Sequence, residues 1–269
     1  MEAIFSKANE NVKFIKSLNE KKFRNKNKAF YLEGVKVVNE ILDKEEAIDI
    51  MFIAYSKSIL LATNGGEELL ERLSNLKNIK TLEFEEKIFE YMTDTVNPQG
   101  VLAVIKMPEY NLKDILAGYN KNIVVLDKVQ DLGNIGTIVR SCNAFDVEMI
   151  VCTLGTADVY SPKTLRSTMG AILNTKVIYL DNISELNLLK ENGYSIVTTS
   201  LQGTENLNIL SENKKFAFVM GNEANGVSDE IVNMSDLLVK IPMTDKIESL
   251  NVGVATSIIL YEQYKKTSR

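Results

Sequence analysis

Short apolar runs that break into polar loops, alternating with apolar positions at helix spacing, organise this chain. From residue 123 onward strands are predicted at Ile123–Leu126, Val147–Cys152, Lys176–Tyr179, Ser195–Thr199, Phe216–Met220 and Leu237–Ile241. Helices are predicted at Ile135–Ala144, Ser161–Ala171, Ile183–Asn192 and Asn251–Lys265. That alternation predicts an α/β fold with a parallel sheet covered on both faces. Upstream the pattern changes. Val12, Ile15 and Leu18 mark a helix, Lys21–Lys28 a basic turn, and Ala29–Leu32 a short strand; Val35, Val38, Ile41 and Leu42 mark a second helix. Strands at Ile48–Tyr55 and Ile79–Phe84, a helix near Glu67–Leu76 and a closing strand at Val101–Lys106 complete a smaller α/β sandwich. Pro108, Gly118 and several Asn and Lys residues surround one short amphipathic piece between the two regions. The expected division is therefore 1–107, a linker at 108–120, and 121–269.

The 269 residues carry 45% hydrophobic residues, enough for a buried core, and no apolar run approaches membrane-spanning length. Met1–Asn11 is polar and mixed in charge, unlike a secretory leader, so a cytoplasmic, membrane-free protein is expected. Cys142 and Cys152 are too few for a disulfide scaffold and read as structural. The chain has no histidine, which removes Cys/His zinc sites and triad chemistry; no metal is expected. The formal net charge is −5, yet the first 31 residues hold eight Lys/Arg against three Glu, a local +5 that leaves −10 for the rest. Lys21, Lys22, Arg24, Lys26 and Lys28, with Phe23 among them, offer cations for phosphates and a ring for bases. A solvated loop is the plain alternative, and Phe30 and Tyr31 read as core.

Candidate chemistry concentrates where strands end. The strand Phe216–Met220 runs into Gly221-Asn222-Glu223-Ala224-Asn225-Gly226, a loop able to bring backbone N–H groups against a ligand. The strand Leu237–Ile241 stops at Pro242, and Ser249-Leu250-Asn251 opens the last helix. The junction after Ile123–Leu126, DLGNIGTIVR, lacks G-x-G-x-x-G, so the dinucleotide fingerprint of an oxidoreductase is missing.

Three stretches in order, N-x-G-x-x-x-R at Asn134–Arg140, GNEANGV at Gly221–Val227 and IPMTDKIESLNVGVA at Ile241–Ala255, resemble the signature motifs of the TrmH (SpoU) family of RNA methyltransferases, in the SPOUT superfamily. The basic stretch followed by Phe30-Tyr31-Leu32-Glu33-Gly34 resembles the substrate-binding domain that precedes the catalytic domain in many members, with a fold similar to ribosomal proteins that bind kinked RNA. The resemblance implies a deep trefoil knot near the carboxyl end and S-adenosylmethionine held within the knotted loops. It implies cofactor contacts at Gly221, Ile241 and Leu250, with Thr199 and Ser200 near the adenine end. Ile241 and Leu250 read equally as core from the residues alone.

By the same resemblance Arg140 is the catalytic residue, accompanied by Asn134, Glu223, Ser249 and Asn251. A guanidinium keeps its proton at neutral pH, so Arg140 is expected to bind an RNA phosphate and stabilise an alkoxide, with Glu223 or a water accepting the proton. Ser249 or Asn251 reads equally as a cap of the last helix. Arg166 reads as an RNA contact or as half of an ion pair. Family members often carry glycine where this chain has Asp245. The expected function is 2′-O-ribose methylation of RNA, ribosomal first and transfer RNA second, by a homodimer paired through Val252, Ala255 and Ile259. A non-catalytic RNA-binding or ribosome-assembly protein of the same fold is the alternative.

Overall fold

The computed structural model describes residues 3–200, 203, 206–210, 214–244 and 246–267. It divides into two compact units, the first made of Met1–Pro108 with Tyr160–Gly170, the second of Glu109–Val159 with Ala171–Arg269. No helix among the described residues is long and apolar enough to cross a membrane.

In chain order the first unit contains α1 (Glu10–Ser17), α2 (Lys21–Asn27), β1 (Ala29–Glu33), α3 (Val35–Asp43), β2 (Ile50–Tyr55), α4 (Lys57–Leu61), α5 (Gly66–Ser74), β3 (Thr81–Glu83), α6 (Glu86–Met92) and β4 (Val101–Lys106). The sheet order is β1-β4-β2-β3, antiparallel except for the parallel β2–β3 pair. Side chains alternate across a strand. Ala29 and Tyr31 of β1 accordingly join Leu102 and Val104 of β4 in a cluster with Val12 and Ile15 of α1 and Phe89 of α6.

The stretch expected as a basic turn is the helix α2. Its Lys and Arg residues are good helix formers, and the helix ends where Lys28 turns left-handed at φ 49°. Arg24 is only 2% exposed, and its Nη1 donates to the Leu18 carbonyl at 2.6 Å. This corrects its assignment as an RNA contact, because a side chain spent on buried main chain cannot reach a phosphate. Lys21, Lys22, Lys26 and Lys28 are exposed, and Phe30 and Tyr31 are buried.

The second part of the chain adds α7 (Leu112–Leu116), β5 (Ile123–Asp127), α8 (Leu132–Ala144), β6 (Met149–Cys152), α9 (Pro162–Thr168), β7 (Lys176–Tyr179), α10 (Asn187–Glu191), β8 (Tyr194–Thr199), β9 (Lys215–Gly221), α11 (Asp229–Met234), β10 (Leu237–Val239) and α12 (Val252–Thr267). Of these, α9 lies in the first unit, where the Tyr160 ring packs tilted by 46° against Phe30, 4.8 Å centroid to centroid. The second unit is built on a six-stranded sheet, β10-β8-β9-β5-β6-β7, with every pair parallel. Ile123, Val125, Met149, Val151, Ala217 and Val219 face one cluster with Leu116 of α7, Leu189 of α10 and Ile231 of α11. The alternate residues Val124, Leu126, Phe218 and Met220 are also fully buried, so the sheet is apolar on both faces, as parallel sheets require.

The helix expected at Ile183–Asn192 is a 3₁₀ turn at Ile183–Leu186 running into the short α10, and its start is fixed by a capping box of Asn182 and Glu185. Cys142 and Cys152 are buried and form no disulfide, and burial pushes the pKa of the Cys142 thiol upward, away from nucleophilic use.

Leu126 is 0% exposed in β5, which is paired on both sides. Leu126→Ala is expected to cost about 2–5 kcal/mol in the urea transition of the second unit. Denaturation followed by far-ultraviolet circular dichroism checks it.

Candidate functional site

The strand β5 ends in Asp127, whose side chain is 0% exposed. One carboxylate oxygen accepts from the Thr153 hydroxyl at 3.0 Å, and the other accepts from Ser228 N at 2.7 Å. The end of β5 thereby ties down the segments that follow β6 and β9. Four residues later Asp131 caps α8, its Oδ1 accepting from Asn134 N at 2.7 Å.

Beside it the loop after β9 folds onto itself. Asn222 N donates to Gly226 O, Gly226 N donates to Asn222 O, and Asn222 Nδ2 donates to Lys128 O at 2.8 Å. A Cβ at Gly221 would lie 2.3 Å from both Gly226 C and Val227 N, so only glycine permits this close turn; Gly226 itself takes φ +69°.

Glu223 reaches from that loop to the start of α8. Its Oε1 accepts from Asp131 N and from Asn134 Nδ2, each at 3.0 Å, and its Oε2 accepts from Gln130 N at 3.1 Å. The other end of the Asn134 amide, Oδ1, accepts from Asn251 Nδ2 at 2.8 Å. Asn251 in turn caps α12, its Oδ1 accepting from Gly253 N at 3.0 Å and Val254 N at 3.2 Å. Asn251 is therefore both a helix cap and a site residue. Asn134, Glu223 and Asn251 thus join three loops that lie far apart in sequence.

These loops border a cleft of about 730 Å³, within the usual range for small-molecule sites. Thr199, Ser200, Gly221, Glu223, Ile241, Ser249, Leu250 and Asn251 all line it. Ile241 and Leu250 are half-buried, with Val239 and Met220 adding further apolar wall. The charged lining is Glu223, Asp229 and Glu248 against Lys240, a balance suited to a cationic ligand rather than a phosphate. An apolar slot, strand-end main chain, hydroxyls and excess carboxylate together fit S-adenosylmethionine, which pairs an aromatic base with a sulfonium.

Arg140 does not line the cleft. It stands exposed near the end of α8, about 9 Å along the helix axis from Asn134, with no hydrogen bond or ion pair among the described residues. Sequence reasoning left Asp127, Gln130, Asp131 and Asn222 unassigned. Asp131 was discoverable as an acidic cap three residues before Asn134, whereas the partners of Asp127 come from distant loops. Asp245 lies outside the described residues.

The SpoU rRNA Methylase family pattern matches residues 121–261, more than half of the chain. The chain belongs to the SpoU rRNA methylase family. The MRM3-like substrate binding domain matches residues 9–103. A relative in Bacillus subtilis, the 23S rRNA (guanosine(2553)-2′-O)-methyltransferase RlmP, is 31% identical over 97% of this chain and 98% of its own. The 23S rRNA (guanosine-2′-O-)-methyltransferase RlmB of Nitrosomonas europaea is 32% identical over 79% of this chain and 85% of its own. Among solved structures, the AdoMet-bound rRNA methyltransferase of Sinorhizobium meliloti superposes with a TM-score of 0.85 at 28% identity, covering 98% of this chain and 97% of that one. The parallel sheet and smaller amino-terminal α/β unit are those of SPOUT methyltransferases.

Burial raises the pKa of Glu223, but hydrogen bonds from the Asn134 side chain and from the main chain at Gln130, Glu223 and Asp131 outweigh it, and the net shift is downward. With its folded pKa below its unfolded value, the carboxylate contributes stability that is fully present above the ordinary carboxylate pKa of 4.5 and is lost as pH falls through the lower folded value. Glu223→Gln places an amide donor against the N–H groups of the SpoU clamp. The melting-temperature difference between wild type and Glu223→Gln is expected to hold from pH 7 down to about 4.5 and to narrow below it. Thermal melts across that range check the sign.

Proposed function

We propose that this chain is an S-adenosylmethionine-dependent methyltransferase that modifies a ribose 2′-hydroxyl of RNA, with ribosomal RNA as its substrate. The observation that carries this is the convergence of the three motif loops on one cleft through Asn134, Glu223 and Asn251. Bound there, S-adenosylmethionine supplies an electrophilic methyl group on a sulfonium.

The chain's residues divide the remaining work. Thr199 and Ser200 bound the adenine end, the main chain at Gly221, Ile241 and Leu250 holds the rest, and the carboxylates of the lining balance the positive sulfur. Glu223, acidified and occupied by three donors, is a positioning group rather than the base, so water takes the hydroxyl proton. Ser249, exposed on the cleft rim, is a substrate contact. Arg140, with its unpaired planar fork, is open to an RNA phosphate and to the developing alkoxide.

The first unit supplies RNA affinity through Lys21, Lys22, Lys26 and Lys28, and the chain divides functionally at 1–107, 108–120 and 121–269, with Tyr160–Gly170 serving the first unit. A deep trefoil knot near the carboxyl end, a cytoplasmic location and a homodimer complete the proposal. Close passage supports the knot: a Cβ at Gly203 would lie 2.7 Å from Val239 C. The pairing face first expected, Val252, Ala255 and Ile259, is not free. Ile259 is buried in its own chain, and Val252 and Ala255 line the cleft. Val254 and Tyr261, 46% and 49% exposed on α12, are the residues proposed to pair.

Arg140→Ala and Arg140→Lys should each lower single-turnover methyl transfer by on the order of a hundredfold, because lysine keeps the charge but not the planar fork. Calorimetric affinity for S-adenosylmethionine should stay within about twofold in both. Near-normal turnover by Arg140→Ala would remove it from catalysis. Failure of the wild type to bind S-adenosylmethionine would overturn the proposed function.

A homodimer mass is expected in sedimentation equilibrium at micromolar concentration, shifting toward monomer in Val254→Glu/Tyr261→Glu. A monomeric wild type with full activity refutes the pairing.

A further inference from the structure

A second pocket of about 230 Å³ lies within the first unit, formed by the end of β1, the start of α3, the Thr95–Gln99 loop and α9. Its size is below the usual range for drug-sized ligands and suits a single planar heterocycle of nucleobase size. The walls include Val37 and Leu165, and the mouth carries two cations, Lys36 and Arg166. Both are exposed, and neither makes an ion pair or hydrogen bond among the described residues.

Between these features sits the carboxylate of Glu33. Its Oε2 accepts from the Thr95 hydroxyl at 2.7 Å, and its Oε1 accepts from Gln99 N at a long 3.3 Å. A carboxylate has about four acceptor positions, so each oxygen keeps room for another donor. Gln99 is committed elsewhere, its Oε1 accepting from Val35 N at 2.9 Å, which holds the loop against α3. Burial raises the pKa of Glu33 despite the opposing hydrogen bonds from Thr95 and Gln99 and the charge of Arg166. A desolvated carboxylate with unused acceptor capacity is stabilised by an incoming pair of N–H donors.

Resting on the RNA substrate proposed above, we infer that this pocket receives one unstacked base of that RNA, read by Glu33 through its N–H edge, with Lys36 and Arg166 on the flanking phosphates. Apolar walls accept the faces of any base. The carboxylate discriminates: guanine presents N1–H and N2–H side by side to its two oxygens, whereas uracil presents one N–H between two carbonyls that a carboxylate repels. Arg166, which the sequence left open between RNA contact and ion pair, is on this account an RNA contact.

The test uses the full chain and single-stranded RNA pentamers of common flanks with central G, A, C or U, titrated by fluorescence anisotropy at several salt concentrations. The central-G pentamer should bind on the order of tenfold more tightly than the central-U one. Glu33→Gln should erase that ranking. Arg166→Ala and Lys36→Ala, both surface changes that keep the fold, should weaken all four pentamers alike and reduce the salt slope by about one each. Equal binding of the four pentamers by wild type, or an unchanged affinity and slope in the Arg166→Ala/Lys36→Ala double variant, overturns the pocket. S-adenosylmethionine calorimetry on the same preparations separates the two proposals: cofactor binding without base preference sinks the pocket alone. Base preference without cofactor binding supports the pocket and sinks the methyltransferase.

Discussion

The site depends on one side-chain amide used at both ends. Asn134 gives its N–H to the Glu223 carboxylate and takes an N–H from Asn251. Neither end can be exchanged. A carboxylate only accepts, and the Asn251 oxygen is already spent on the first turn of α12, so its amide must face Asn134 as a donor. The orientation of three polar side chains is therefore determined by the network. Each neutral bond contributes about 1 kcal/mol net and each bond to the carboxylate about 1.5–3. Their larger effect is to hold three loops in register before a ligand arrives, which lowers the ordering cost of binding.

That amide can act only because the sheet brings its partners within reach. In an open parallel sheet, crevices form beyond the carboxyl ends of strands where the connections part in opposite directions. Here β5 is followed on one side by β6 and on the other by β9, and the cleft borders the carboxyl ends of β8, β9 and β10. Asp127, buried at the end of β5, anchors both neighbours through Thr153 and Ser228, and Gly221 lets the loop after β9 turn against its own main chain.

The parallel core was legible because buried strands carry continuous apolar runs: β7 lies where the pattern puts it, and β5, β8 and β9 differ by a residue or two at their ends. The departures have physical causes. β10 stops at Val239 rather than Ile241 because Lys240 and Ile241 leave the ladder to line the cleft. Helix α2 replaced an expected turn because charge suggested a loop while helix propensity decided otherwise. Arg24 and Ile259 were misplaced because residue type does not report facing: a cation can be spent on a buried carbonyl, and an apolar helix face can be covered by its own chain. The contacts that close the site join residues about ninety to one hundred and twenty positions apart, a separation no local pattern encodes.

The segment Tyr160–Gly170 falls inside the stretch matched by the methylase family yet packs with the first unit, where Leu165 is buried and Tyr160 lies on Phe30. The polypeptide therefore leaves the second unit after β6 and returns to it before β7. Neither unit is a contiguous piece of chain, so no single cut releases either one whole. A fragment starting near residue 110 would carry α9 with its apolar side stripped of cover, and one ending there would lose a wall of its own core. For a ribosome synthesising this protein, the smaller unit cannot be finished when its last strand emerges. Its completion waits until β5, α8 and β6 have also been made.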